Sequence, residues 1–180
     1  MTTPELDDAA LEFASKVFAA AREGDADALK QWLGQGLPVN LRNHNGDTLL
    51  MLASYHEHPR ATQVLLEHGA DAQILNERGQ SPLSGAAFKG NVEITQLLLN
   101  HGAQVDVHGE DGRTPLMFAA MVNRTDSMEI LLREGGANII SKDAGGNDAL
   151  ARAKTLNATD SLGWLELYLA GDDKDCVGRS

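Results

Sequence analysis

The chain is short of cysteine, of basic residues and of long apolar runs, and each shortage narrows what it can be. A single cysteine, Cys176, in 180 residues rules out an internal disulfide framework and suits a reducing compartment, where it reads as a free thiol on a loose tail. No apolar stretch approaches the roughly 20 residues needed to cross a bilayer. The opening Met1-Thr2-Thr3-Pro4-Glu5 also lacks the basic and apolar segments of a secretion signal, so a soluble cytoplasmic protein with no membrane partner is expected. Lys and Arg number 15 against 26 Asp and Glu, a net charge of -11. Phosphate backbones would be repelled, which excludes nucleic acid and favours a basic protein partner.

What the chain does have is a period. Gly46, Gly79 and Gly112 recur at one constant interval, about 33 residues, which is within the range of a repeated structural unit. The segments that follow them run in the same register: Gly46-Asp47-Thr48-Leu49-Leu50, Gly79-Gln80-Ser81-Pro82-Leu83 and Gly112-Arg113-Thr114-Pro115-Leu116. A fixed period of this length marks one supersecondary unit copied and stacked, each copy burying its apolar face against the next. Within a unit, Thr48, Ser81 and Thr114 are placed to cap a first helix, and Pro82 and Pro115 sit in its first turn, where no backbone donor is missed. Leu49 stands where the other two units have proline. Ala53-Ser54, Ala86-Ala87 and Ala119-Ala120 let neighbouring helices approach closely. A second helix carries Val64-Leu65-Leu66, Leu97-Leu98-Leu99 or Ile130-Leu131-Leu132 and is expected to end in a left-handed Gly69, Gly102 or Gly135.

Upstream of the frame, residues 4 to 22 read as a capping helix with Thr3 as N-cap, Pro4 in its first turn, and Glu5, Asp7 and Asp8 at its positive end. Leu6, Ala10, Phe13 and Val17 form its inner face, and Asp7, Asp8, Glu12 and Lys16 its outer one. A short helix over residues 26 to 34 then buries Leu29, Trp32 and Leu33.

Ser81-Pro82-Leu83 with Ala86-Ala87, Gly90, Leu98-Leu99 and His101-Gly102-Ala103 resembles an ankyrin repeat. The resemblance implies an all-α solenoid of stacked antiparallel helix pairs with hairpin-like loops at one edge. It covers most of a single domain, 1-180. Residues 1-45 hold the N-terminal capping helix and first repeat, 46-78, 79-111 and 112-145 hold further repeats, 146-170 a degenerate C-terminal cap, and 171-180 a disordered tail. The size and acidity are similar to those of stand-alone bacterial ankyrin proteins. Two departures stand out. The family's histidine after Thr-Pro-Leu is replaced by Met51, Ser84 and Met117, which removes the hydrogen bonds it makes between units. Gly146 follows Gly112 one position later than the period requires, and because Leu132 still aligns with Leu99, the extra residue falls in the Gly135-Gly136 loop.

Nothing in the residues supplies chemistry. His68 and His101 are register-equivalent, and helices packed about 8 to 10 Å apart hold such imidazoles too far apart to share a zinc at bonds of about 2.1 Å. His56 and His58 lie in a turn with no further ligand near in sequence. No Gly-x-Ser-x-Gly elbow and no Walker motif occurs, so neither metal, cofactor nor catalysis is expected.

What the register offers is a surface. In ankyrin-like stacks the concave face combines the exposed side of the first helices with the loop tips. Met51, Ser84 and Met117 form one column on that face. Tyr55, Phe88 and Met121, four residues later, form a second. Methionine and aromatic side chains suit adaptable, high-energy contacts. The rim carries His44, Asn45, Asp47, Glu77, Arg78, Gln80, Glu110, Asp111 and Arg113. The expectation is a non-enzymatic, monomeric adaptor or inhibitor that binds a protein partner. The alternative is an assembly factor that uses the same stripe between identical chains.

Overall fold

In a computed structural model that describes residues 8-171, ten helices pair off into two layers. The first layer holds α1 (Asp8–Glu23), α3 (Leu49–Tyr55), α5 (Pro82–Lys89), α7 (Pro115–Ala120) and α9 (Ala149–Thr155), each packed on the next. The second holds α2 (Ala26–Gly34), α4 (Pro59–Glu67), α6 (Val92–Asn100), α8 (Thr125–Arg133) and α10 (Thr159–Ala170), stacked likewise. Consecutive helices pair across the layers, so the stack is the all-α solenoid that the period predicts. The β pairing among the described residues is an isolated antiparallel bridge between Arg42 and Thr48.

The core repeats with the sequence. Leu49, Leu83 and Leu116 are fully buried in the first layer, and Leu65, Leu98 and Leu131 in the second. Each such leucine is worth about 1.5 to 3 kcal/mol relative to an exposed one. The small pairs Ala53-Ser54, Ala86-Ala87 and Ala119-Ala120 are all buried between helices. First helices start as expected: Thr48, Ser81 and Thr114 accept from the backbone N–H of Met51, Ser84 and Met117 at 3.2, 3.0 and 3.5 Å. Asp148 does the same for α9 through Ala151 at 2.9 Å.

The one-residue insertion can be placed by hydrogen bonds. After the second helix, Ala70 N–H donates to Leu65 and Ala103 N–H to Leu98, five residues back, whereas Ala137 N–H donates to Leu131, six back. The extra residue is therefore absorbed between Leu131 and Ala137, in the Gly135-Gly136 loop. It changes which glycine does what. Gly69 and Gly102 are left-handed (φ +82 each), but in the lengthened loop the left-handed residue is Gly136 (φ +70) and not Gly135. Gly135 serves a different need, since a Cβ there would lie 2.8 Å from both the Leu131 carbonyl oxygen and Val105 Cγ2.

The N-terminal end departs from expectation. The inner face of α1 is Val17, Ala20 and Ala21, while Ala10 is exposed and Phe13 remains 42% exposed, its ring edge-on to Trp32 at 5.4 Å. The cause is length: α1 has 16 residues and its neighbour α3 only 7, so the first turns of α1 overhang the stack. Trp32 is half-buried rather than buried. Thr3, Pro4, Glu5, Leu6 and Asp7, the expected start of that helix, lie outside the described residues, as do Cys176 and the tail beyond Gly171. Gly171 itself is the left-handed C-cap of α10 (φ 75). At the C-terminal end α9 and α10 form a full helix pair, and Leu156, Leu167 and Leu169 are exposed.

Candidate functional site

The first-layer helices and the loop tips before α5 and α7 enclose a groove of about 430 Å³. Its position follows from register. Residues four apart on α3 and α5 share a face, and stacking sets Tyr55, Phe88 and Met121 side by side along the wall. Tyr55 is the most open at 44% exposure, and Phe88 and Met121 are half-buried. Lys89 Nζ lies 5.4 Å from the centre of the Tyr55 ring and 3.4 Å from Glu57, so the tyrosine is held between a cation and its own helix end.

The first column is not exposed beside that wall. Met51, Ser84 and Met117 are buried, with Met51 and Ser84 at the floor of the groove and Met117 in the core. These positions fall in the first turn of each helix, beneath the loop tip, where the cap folds back over them. Ser84 Oγ lies 3.0 Å from Ser81 Oγ, so even the polar member is satisfied internally.

The floor is opened by a third column, one position beyond the first. Leu52, Gly85 and Phe118 are register-equivalent and all line the groove. Leu52 and Phe118 are buried, and between them Gly85 contributes no side chain. A Cβ at Gly85 would meet Tyr55 Cδ2 at 3.4 Å, an ordinary contact, and the backbone there is helical, so neither steric clash nor φ demands glycine. Mid-helix glycine costs about 1 kcal/mol relative to alanine. What that residue supplies is the gap. The signal was readable, as a helix-interior glycine in a column otherwise filled by leucine and phenylalanine.

Of the expected rim, Asp47, Arg78, Gln80 and Arg113 line the groove, whereas His44, Asn45, Glu77, Glu110 and Asp111 stand outside it. Asn76 and His56, also in the lining, were not foreseen. Asn76 organises its tip: Oδ1 accepts from the N–H groups of Arg78 and Gln80, each at 3.0 Å, and Nδ2 donates to Asp47 Oδ1 at 2.8 Å. Arg113 is fixed from two sides, by Asp111 Oδ2 at Nε and by the Phe118 ring 5.2 Å from its guanidinium. His56 packs edge-on to Tyr55 at 5.6 Å. Burial, and then the nearby Arg22, His58 and Lys89, hold the His56 pKa below its ordinary value, which favours the neutral ring.

Among the described residues no three His, Cys, Asp or Glu side chains come together as metal ligands would. The register-equivalent His68 and His101 each donate Nδ1–H to a carbonyl in their own helix, Val64 at 2.7 Å and Leu97 at 2.8 Å. Nor is any described helix long and apolar enough to cross a membrane. The groove can hold an apolar group against Tyr55, Phe88 and Met121 and donate hydrogen bonds to an adjoining acceptor from Gln80, Arg78 and Arg113. No nucleophile and base are paired at it.

Comparison with known proteins agrees with this architecture. Over 55 residues, 31% of this chain, the sequence is 60% identical to an ankyrin repeat protein of Pseudomonas aeruginosa, and the match spans 32% of that protein. A family model of three ankyrin repeats matches twice, over residues 17-109 and 86-174. Such repeats are generally modules for protein–protein interaction and typically not enzymes. With the two matches running through nearly every helix of the stack, the chain belongs to the ankyrin repeat family.

Proposed function

We propose that this chain is a non-enzymatic adaptor or inhibitor that binds a segment of a partner protein in the groove between the loop tips and α3, α5 and α7. The observation that carries the reading is the combination of the Tyr55, Phe88 and Met121 wall with the gap over Gly85. A floor opening beside aromatic side chains gives an apolar anchor somewhere to go, and anchors of this kind dominate binding energy. His44, Asn45, Glu77, Glu110 and Asp111 of the expected rim, together with Met117, are not in the groove lining and are not part of the proposed interface. A cytoplasmic setting goes with it, as the single cysteine suggests.

The test is stoichiometric binding with the Tyr55→Ala/Phe88→Ala double variant as control. The native protein should retain a partner from lysate that the folded variant loses. Equal retention would remove the groove from the interface. Sedimentation of the pure protein separates the second reading, in which the occupant is another copy of this chain: a dimer that the same double variant dissociates would replace the adaptor.

A further inference from the structure

The groove lining does not share the acidic balance of the whole chain: it holds two guanidinium groups, Arg78 and Arg113, against one carboxylate, Asp47. The chain carries -11, which favours basic partners at long range. The charged or basic lining of the groove is Arg78, Arg113, His56 and a single carboxylate, Asp47. That carboxylate is turned to its own loop tips, with Oδ1 taking Asn76 Nδ2 at 2.8 Å and Oδ2 taking Asn43 Nδ2 at 3.3 Å. The cations are not used up in the same way. Arg78 is exposed and its guanidinium has no carboxylate partner among the described residues. Arg113 binds Asp111 through Nε, which leaves its terminal nitrogens without a carboxylate, and the Phe118 ring 5.2 Å from the guanidinium packs against it at the groove lining.

Resting on the reading that the groove binds a protein segment, we infer that its occupant is a short acidic-apolar segment. One leucine-sized or aromatic side chain enters the gap over Gly85 between Tyr55 and Phe88, and an adjacent Asp or Glu pairs with Arg78 and Arg113. A guanidinium already oriented by a ring and a neighbouring carboxylate loses little freedom on binding, and the planar fork suits a carboxylate. The walls are apolar, so this pairing is less screened than one on open surface. Repulsion from the rest of the chain fades beyond about 10 Å at 0.1 M salt. At contact, the two arginines and not the net charge select the partner.

The experiment is selection of random seven-residue peptides displayed on phage against the full chain, followed by titration of the enriched peptides in synthetic form. Expected is enrichment of Leu, Phe or Trp next to Asp or Glu. Arg78→Glu should weaken those peptides at least tenfold, and a fresh selection on that variant should enrich Lys or Arg at the same place. Gly85→Leu, which gives this position the residue that Leu52 has one repeat earlier, should abolish binding. Tyr55→Ala/Phe88→Ala gives the same reading if that variant does not fold. Enrichment of basic peptides, or affinity indifferent to Arg78→Glu while still lost in Gly85→Leu, overturns the acidic partner and leaves the groove standing. Peptides that bind the gap-filled and double variants as well as the native chain, or no enrichment at all, overturn both.

Discussion

At the loop tip before α5, Asn76 holds the turn; at the next tip, before α7, the same register position is Gly109. Asn76 accepts two backbone N–H groups with its side chain, donates to Asp47, and closes the tip by its own N–H to the Gln80 carbonyl at 3.0 Å. Asn43 and Asp143 likewise each accept two backbone N–H groups at their tips and close on the Asp47 and Asn147 carbonyls at 3.0 and 2.9 Å. Gly109 has no side chain to offer and makes no such closing bond, and its tip keeps the Gly112 N–H to Gly109 carbonyl bond at 3.0 Å. Adjacent tips differ in the same place. Glu77 N–H reaches the Asn45 carbonyl at 3.1 Å and Ala144 N–H the Asp111 carbonyl at 2.9 Å, but Arg78 and Glu110, the equivalent pair, share no bond. There the backbones touch instead: a Cβ on Gly109 would fall 2.6 Å from Gly79 Cα. One tip is fixed by hydrogen bonds and the next by close approach, and Arg113 beside the groove grows from the second.

Breaking the first kind of tip should do the most damage. Asn76→Ala strands the N–H groups of Arg78 and Gln80 and removes a donor to Asp47, and unsatisfied buried groups cost about 1 to 3 kcal/mol. A loss of roughly 2 to 3 kcal/mol in urea unfolding is expected, with faster amide exchange at Arg78 and Gln80. A loss below about 0.5 kcal/mol, the scale of an ordinary surface substitution, would show that the side-chain bonds at this tip are replaceable by water. Gly109→Ala tests the other kind, because the added methyl must push the tip away from Gly79. Loops yield more easily than cores, so roughly 1 to 2 kcal/mol is expected, at the lower part of the overpacking range. Gly109→Asn should behave no better, since the side chain that serves at Asn76 cannot be accommodated against Gly79. If it stabilised the protein, the close approach would be incidental.

The difference between the tips also shows which parts of the molecule could be read in advance. Helix starts and the two layers were legible because caps and apolar residues act locally: Thr48, Ser81 and Thr114 each bond three residues along, and the period carries the rest. The inserted residue was legible too, through the alignment of Leu132 with Leu99. The exposure of the first column was not. Met51 and Met117 are of the type found on binding faces, and whether a loop tip folds over them depends on contacts between neighbouring repeats that no local pattern encodes. The left-handed role passed from Gly135 to Gly136 for a similar reason, as a lengthened loop redistributes its torsions. Gly85 and Gly109 are absences, and an absence has a meaning only against its register neighbours: Leu52 and Phe118 for the first, Asn43 and Asn76 for the second.

Asp143 sharpens the comparison with a charge. It is buried, and Arg152 pairs with it across the start of α9. Burial works to raise its pKa, but hydrogen bonds from Asn147, Arg152 and Gly145 together outweigh that and hold it below the usual carboxylate value. A depressed carboxylate contributes stability that is present above the ordinary Asp pKa of about 4 and is lost as pH falls through the folded value. Asp143→Asn keeps the turn that Asn43 and Asn76 make and deletes only the charge. It should therefore cost about 1 kcal/mol at pH 7, the scale of a hydrogen bond to a charged group after partial exposure of Arg152. Native and variant unfolding free energies should converge in acid. Parallel curves from pH 7 down to pH 3 would mean that the charge contributes nothing and the tip oxygen does all the work.

The smallest effect is expected on the opposite edge, where the turn between paired helices poses the same choice of residue. Gly90 is left-handed there (φ 82), but its equivalent in the preceding repeat is Glu57 (φ 64), with Asn123 and Asn157 in the later ones. A glutamate in this conformation carries a penalty of roughly 1 to 2 kcal/mol. Glu57→Gly removes that strain. It also adds unfolded-state entropy worth about 0.4 to 1 kcal/mol and loses an exposed pair with Lys89 worth about 0 to 1 kcal/mol. The terms nearly cancel, so the unfolding free energy should move by no more than about 0.5 kcal/mol. Binding need not stay still with it. Lys89 stands over Tyr55 at the groove wall, and once released from Glu57 it is an unpaired cation against that wall, so an acidic-apolar peptide should bind more tightly to the variant. A destabilisation above about 1 kcal/mol, more than an exposed pair normally contributes, would instead identify the Glu57 to Lys89 pair as the tether that keeps the Tyr55 wall upright.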